Sequence, residues 1–369
     1  MNEFDLAVIG GGPAAALCAL EAARSKRTLL LLRSCDFAAA AGAPRSVEAV
    51  PAGLLGLLAK FGVQPDEIGV DRLHHHREIA WDSSIPRFVR SDGTAHVERP
   101  LLDFALLRRA FHFRHITVEL AAHHPLVCNG ESWSGPNWRA RFLVDASGRR
   151  ALTANRLVRP PRPWVARCWS FAPERDDPLA AAFKMAALPE GYAYRLSSRR
   201  VVTFGLIGPA YGFVRNWSAA QQVISKSGAS WILSGIPKSP IYRLRPRIAS
   251  LQWSSGDCHS DRLLRAGDAA CARDVLGSQG LGTSLSEALY AAAALGSGSG
   301  PDLLRMRQQE QRGAHIRSLT AGIDACVWQE TPAWRRYREW LSGQRVSAGC
   351  LVALRDGSLQ ELAAASGIA

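Results

Sequence analysis

The segment that most constrains this chain is its opening. Asp5–Ile9 (DLAVI) is a short apolar run of strand type and Gly10–Gly12 is a turn. From Pro13 onward (PAAALCALEAARS) strong helix formers follow, with proline at the position where a helix tolerates its missing N–H. A second apolar run, Thr28–Leu32, completes a strand, helix and strand unit of about 30 residues. Gly10-x-Gly12-x-x-Ala15 therefore sits in the context that a dinucleotide-binding turn requires. The first glycine allows the tight turn, the second admits a pyrophosphate to the backbone, and Ala15 lets helix and strand pack closely. N–H groups at the helix start then face the phosphates. The carboxylate that normally ends the second strand and takes a ribose hydroxyl is missing, because Leu29–Leu32 runs into Arg33. Arg33 suits a 2′-phosphate, a stack on an adenine or a phosphate contact, and the sequence leaves all three open.

Composition sets the outer limits. The 369 residues are 47% hydrophobic and 21% charged, which excludes intrinsic disorder and gives room for about two to three domains. No apolar run reaches the roughly 18 residues of a membrane span, and the acidic opening Met1–Asp5 leads into a strand, so neither a membrane nor a signal peptide is expected. The eight cysteines form no CxxC pair, which argues against a zinc site or disulfide framework and for a reducing cytoplasm. A net charge of +13 favours an anionic cofactor, nucleic acid or an acidic protein surface. The arginines are spread, for example Arg108-Arg109, Arg149-Arg150 and the stretch Arg243 to Arg247, with no nucleic-acid motif beside them.

Later segments give the opening turn its context. Phe142–Asp145 is strand-like and ends in Asp145-Ala146-Ser147-Gly148. Arg262–Ala266 leads to Gly267-Asp268-Ala269-Ala270, then to Leu276-Gly277-Ser278-Gln279-Gly280-Leu281-Gly282 and an alanine-rich helix from about Thr283 to Leu295. With Gly-Gly-Gly-Pro-Ala at residues 10–14 and Glu98-Arg99-Pro100-Leu101-Leu102-Asp103, these segments resemble the FAD-dependent monooxygenases of the aromatic hydroxylase and tryptophan halogenase superfamily over residues 1 to about 300. The resemblance implies an α/β fold: a Rossmann-type, glutathione-reductase-like FAD-binding domain (1–158 and 251–300, with about 68–98 contributing to the substrate side), an interleaved β-sheet substrate domain (159–250) and a helical C-terminal region (301–369). It implies that Gly10, Gly12, Pro13, Ala14 and Ala15 cradle the FAD pyrophosphate, with Arg33, Arg45 and Ser46 nearby. Arg99 stands beside the cofactor, Asp268 bonds its ribityl and phosphate region, and Gly280, Leu281 and Gly282 present N–H groups to the flavin pyrimidine edge. A helix N-terminus suits the negative charge that gathers there. Considered alone, Asp268 could be a helix cap, and Arg99 a surface ion pair with Glu98 or Asp103.

The loop Arg45-Ser46-Val47-Glu48-Ala49-Val50-Pro51 looks like the loop that lies over the flavin in halogenase-like flavoproteins. Ile68–Pro86 contains no lysine, whereas halogenases carry one there for hypohalous acid, and Tyr192-Ala193-Tyr194 stands where they carry a Trp-x-Trp segment. Together these segments look most like the flavoproteins of tryptophylquinone biogenesis, including those that mature quinohemoprotein amine dehydrogenase and lysine or glycine oxidases, which the resemblance implies hydroxylate a tryptophan of a partner polypeptide. The expectation is an enzyme, an FAD-dependent monooxygenase. It would use O2 and NADH or NADPH, directly or through a reductase, to form a flavin C4a-hydroperoxide and hydroxylate an electron-rich aromatic ring. Glu48 is the candidate catalytic carboxylate, against a helix cap, and Asp82 is a poorer second. A flavin reductase or dehydrogenase, a halogenase and a non-catalytic FAD-bearing maturation factor remain as alternatives.

His74-His75-His76 invites a metal reading, but neighbours on a strand point to opposite faces and no ligand motif accompanies them, so no metal is expected. The middle region, with runs such as Val201–Ile207, reads as a sheet. Leu303–Arg317 and Thr331–Leu341 read as basic helices that could dock an acidic partner or cap the pocket. The expected partner is an acidic polypeptide, in the cytoplasm, with neither nucleic acid nor membrane involved.

Overall fold

The structure is a computed structural model that describes residues 1–32, 46–120, 126–173, 183–209, 214–255, 262–277, 280–295 and 300–344. The opening unit folds as its pattern dictates. The strand Asn2–Ile9 turns through Gly10–Gly12 into the helix Pro13–Ala22, and the strand Thr28–Leu32 returns parallel to the first, with Leu6 opposite Thr28 and Ile9 opposite Leu31. All five residues of Thr28–Leu32 are buried, as in a parallel strand covered on both faces. Each buried leucine there contributes about 1.5–3 kcal/mol.

Around this pair grows a seven-stranded sheet. Ile116–Leu120 lies outside Thr28–Leu32, and on the other side Asn2–Ile9 pairs parallel with Trp138–Asp145, which pairs parallel with Leu263–Arg265. Helices Pro13–Ala22, Arg99–His112 and Gly280–Ala294 share one apolar core with its inner face. The C-terminal ends of the parallel strands thus gather Gly10, the turn after Asp145 and the turn at Gly267, the place where ligands enter open α/β sheets.

A second, nine-stranded sheet stands beside the first, running in order Tyr242–Arg243, Val165–Phe171, Val202–Gly208, Gly191–Ser197, Phe183–Leu188, Leu73–Ala80, Arg87–Glu98 and Val47–Pro51, with Arg247–Ile248 also on Val165–Phe171. One face packs the helix Trp217–Lys226 through Trp169, Phe204 and Trp217. The other packs Trp164, Tyr192 and Ile207 against the C-terminal helices Gly300–Asp324 and Pro332–Ser342. Trp164 and Trp334 meet edge to face with centroids 4.6 Å apart, and the Trp334 indole N–H donates to Leu188 O at 2.8 Å. Both C-terminal helices were expected; residues 345–369 lie outside the described structure. Among the described residues no helix is long and apolar enough to cross a membrane.

The histidine run occupies the strand Leu73–Ala80, where the register shifts between His74 and His76. His74 stacks on His96 of the adjacent strand with ring centroids 4.0 Å apart. Burial, reinforced by the neighbouring His74, drives the His96 imidazole down to about 3, so both rings pack as neutral aromatics. Among the described residues no group of three His, Cys, Asp or Glu side chains is arranged to hold a metal.

Two buried details set the geometry of the cofactor end. Gly10 has φ +135°, and a Cβ on it would lie 2.3 Å from the backbone oxygen of Ala146. Gly10→Ala is therefore expected to cost about 3 kcal/mol or more in chemical denaturation; a variant as stable as wild type would contradict this close approach. Glu287, on Gly280–Ala294, accepts the Gly267 N–H at 3.0 Å and so pins the turn before Asp268. Burial raises its carboxyl to about 7, against the pull of Arg273 and of that N–H. Because its folded pKa is raised, its contribution is full below pH about 4.5 and is lost as pH rises through about 7, a swing of about 3 kcal/mol. Glu287→Gln keeps the acceptor without the charge. Its melting temperature should fall less than that of wild type between pH 5 and pH 8, and parallel pH profiles would refute the assignment.

Candidate cofactor and active site

The helix Pro13–Ala22 begins with no side-chain cap and no acidic residue in its first turn, so its leading N–H groups are free for a ligand. Gly12 is its N-cap, in extended conformation, and a Cβ there would meet nothing within 4 Å. Ala15 is fully buried beneath Gly10, and Ala14 lies against Gly267. This is a cradle: closed below, open above, positive at the helix end. Arg33 and Arg45, expected nearby, lie outside the described residues, so the ribose contact stays with the sequence reading.

The helix Gly280–Ala294 has no acidic residue in its first turn, and among the described residues a Cβ on Gly280 would meet nothing within 4 Å and one on Gly282 would meet only Pro51, at 3.9 Å. Leu281 is buried in the core, which leaves the backbone of that turn to face outward. The approach to this turn is held by Asp274, which accepts the Tyr337 phenol at 2.6 Å and the Leu276 N–H at 2.9 Å, while the Asp274 N–H donates to His315. Burial keeps the His315 imidazole down at about 4, so it is a neutral acceptor.

Between the two helix ends lies a charged cluster. Arg99 opens the helix Arg99–His112 and donates from Nη1 to Glu48 at 2.9 and 3.2 Å and from Nε to Asp103 at 2.7 Å. Its N–H donates to Ser46 O at 2.8 Å, joining the expected Ser46 to the same cluster. Glu98, by contrast, is buried and pairs with Arg200. Arg99 is thus a half-buried ion-pair centre; of the two pairs considered in the sequence, that with Asp103 forms and that with Glu98 does not. Burial works against its charge, but Asp103 and Glu48 hold it protonated. Asp268 starts a short helix at Gly267, with its carboxylate 3.8 Å from Arg149 and partly open to the cleft. Burial raises its carboxyl and Arg149 and Arg99 oppose the rise. The residues present fit a phosphate-rich dinucleotide with a flavin, because uncapped N–H groups open Pro13–Ala22, the glycine turn Gly280–Gly282 leaves room beside its backbone, and the Asp268 carboxylate is partly open to the cleft.

Glu48 is not a helix cap: it lies in the strand Val47–Pro51. Its charge is felt by Cys168 and Tyr194 on the facing strands, so it borders their side of the cleft. The Cys168 thiol and Tyr194 hydroxyl are 3.5 Å apart. Gly205 makes room for the Tyr194 ring, since a Cβ there would come within 2.1 Å of it. Burial raises both groups and keeps them neutral. Asp82 pairs with Arg87 at 2.9 Å, both half-exposed, away from this wall. The buried Lys184 pairs with Glu78 at 3.0 Å and lies over Trp231, on the opposite face of the sheet.

Sequence reasoning missed Arg149, Asp103, Glu287, Cys168 and Tyr194 as site residues. Arg149 follows the Asp145-Ala146-Ser147-Gly148 turn directly and donates to Ser250 O and Arg273 O, so its nearness to that motif was the available signal. Asp145 serves the turn itself, accepting from Ser147 and Thr153.

No family model matches the chain. Over 382 aligned residues it is 28% identical to the FAD-dependent oxidoreductase LodB of Marinomonas mediterranea, covering 94% of this chain and 99% of that one. The myxobacterial chondrochloren halogenase CndH superimposes with a TM-score of 0.74 at 21% identity, over 91% of this chain and 86% of its own. The peptidyl tryptophan dihydroxylase QhpG, essential for tryptophylquinone cofactor biogenesis, does so with a TM-score of 0.66 at 19% identity, over 91% of this chain and 79% of its own. The resemblance drawn from the motifs therefore stands, and the chain has the fold of the FAD-dependent halogenases and monooxygenases.

Proposed function

We propose that this chain is an FAD-dependent monooxygenase that hydroxylates an electron-rich aromatic ring, a tryptophan of a partner polypeptide matured into a quinone cofactor. One observation carries the reading. The uncapped start of Pro13–Ala22, the glycine turn of Gly280–Ala294 and Asp268 border a cleft whose facing wall is the neutral pair Tyr194 and Cys168, and the buried Lys184 of that sheet lies on its other face. A wall without an amine suits direct oxygen transfer better than handling of hypohalous acid. The likeness to QhpG supports a peptidyl tryptophan as substrate.

FAD bound here would supply the redox and oxygen-transfer chemistry, with NADH or NADPH and O2 as co-substrates. Pro13–Ala22 would hold the pyrophosphate by its N-terminal N–H groups, Asp268 would accept from a hydroxyl of the cofactor, and the first turn of Gly280–Ala294 would stabilise negative charge on the flavin ring. An indole is already nucleophilic, so these residues need to exclude water and place the ring rather than remove a proton from carbon. Glu48, held by Arg99, accepts the indole N–H and orients the ring against Tyr194.

The surface supports a polypeptide. Ile241, Tyr242, Arg243, Arg245 and Arg247 are all exposed along the edge of the large sheet, and Leu244 N–H donates to Cys168 O at 3.0 Å, which joins this edge to the substrate wall. Apolar and basic groups on an open strand edge fit an extended acidic chain.

With FAD-loaded protein, NADH or NADPH, ¹⁸O₂ and an acidic tryptophan-containing polypeptide, label is expected in the tryptophan. Turnover without O2 that reduces a double bond would establish the reductase instead, and a complex that forms without label would establish the maturation factor. Glu48→Gln should retain FAD and lower kcat/KM on the order of 10- to 100-fold; the wild-type rate would remove Glu48 from the site. Replacing Arg243 and Arg245 by serine should weaken polypeptide binding and flatten its salt dependence with FAD retention unchanged. Binding that ignores salt would sink the acidic-partner reading.

A further inference from the structure

The basic edge of the large sheet is divided between its two faces. The strand Arg247–Ile248 pairs antiparallel with Val165–Phe171 and sets Arg247 opposite Ala166, which stands opposite Ile207 on the next strand. Side chains of directly paired residues share a face, and residues two apart on one strand share it too. Arg247 is therefore on the face of Cys168 and Tyr194, and Ala166, Ile207 and Tyr194 pack in one apolar cluster there. Arg243 stands opposite Trp169, on the other face, with its charge set against Arg167. The charge of Arg247 is felt instead by Cys168, Tyr194 and Asp103, which border the cleft.

The Arg247 side chain is open to a ligand. The residue is exposed, and among the described residues it forms no ion pair. Asp103, the carboxylate that feels its charge, is held by Arg99 at 2.7 Å. The spacing then says what a ligand must look like. Ala166, beside Arg247, and Cys168, beside the Tyr194 ring, are two residues apart on their strand, a distance of about 7 Å. An extended peptide repeats the same spacing: side chains two residues apart lie on one side, and the residue between them points away. A chain lying along this edge with its tryptophan against Tyr194 and Cys168 brings the side chain two residues away to Arg247.

We propose that Arg247 is a specificity-determining residue that takes a carboxylate two residues from the target tryptophan. The proposal rests on the polypeptide reading of the cleft and narrows it, because acidic character is then required at one spacing rather than anywhere along the chain. The guanidinium suits this role, with two parallel donors that match the two oxygens of one carboxylate.

The test is isothermal titration calorimetry of the FAD-loaded protein, without NADH or NADPH, against two capped peptides of equal composition and charge. One is Gly-Asp-Gly-Trp-Gly-Asp-Gly, with a carboxylate two residues from the tryptophan in either direction; the other is Gly-Gly-Asp-Trp-Asp-Gly-Gly, with both carboxylates adjacent to it. Wild type should bind the first about three- to tenfold more tightly, a preference that shrinks as salt rises. Arg247→Gln should bind the two alike. Arg247→Glu should prefer the first arrangement only when lysine replaces both aspartates. Equal binding of the two isomers by wild type, or a preference that survives in Arg247→Gln, overturns the role of Arg247 and leaves the polypeptide reading standing. Binding of neither peptide at millimolar concentration overturns that reading and this role with it.

Discussion

The backbone oxygen of Ala146 occupies the space where a side chain on residue 10 would begin, and much of the molecule is arranged around that contact. Gly10 N–H donates to Leu31 O and Ala146 N–H donates to Ile9 O, so three parallel strands end at one level. The helix after Gly10 then starts just above the sheet edge, with no cap and no acid to occupy its N–H groups. Gly267, pinned by Glu287, brings a fourth strand end to the same place. The proposed cofactor site lies where these strand ends meet.

The second sheet is fastened to this arrangement by charge as well as by apolar packing. Glu48 belongs to the large sheet and Arg99 to a helix of the first core, so their ion pair bridges the two, and Arg149 extends the bridge to Ser250 and Arg273. Such pairs add little where water reaches them, yet within a cleft they fix orientation. Tyr337 adds a neutral tie by donating to Asp274 from the last described helix. The proposed substrate wall of Tyr194 and Cys168 is thereby held at a defined place relative to the two helix N-termini.

Most of the cofactor half was legible in the sequence, because each part of it is local. A glycine at a tight turn, a proline at a first helical position and the Gly267-Asp268 segment carry their geometry in a few consecutive residues. The substrate half was legible only as strands. Tyr194, Gly205 and Cys168 are brought together by pairing across three strands, a register that no local pattern specifies. The sequence singled out Glu48 but not its surroundings: its partner Arg99 is 51 residues away.

The claim on which the account turns is that the open face above Gly12 receives the pyrophosphate of FAD. Gly12→Asp tests it directly. Its side chain enters open space, and aspartate is a favourable N-cap, so the apo variant should melt at or above the wild-type temperature. The same carboxylate occupies the anion position and repels phosphate. Fluorescence titration with FAD should then show affinity reduced on the order of 100-fold or more against a wild-type chain that binds one flavin. Undiminished FAD affinity in a well-folded Gly12→Asp variant would contradict the account.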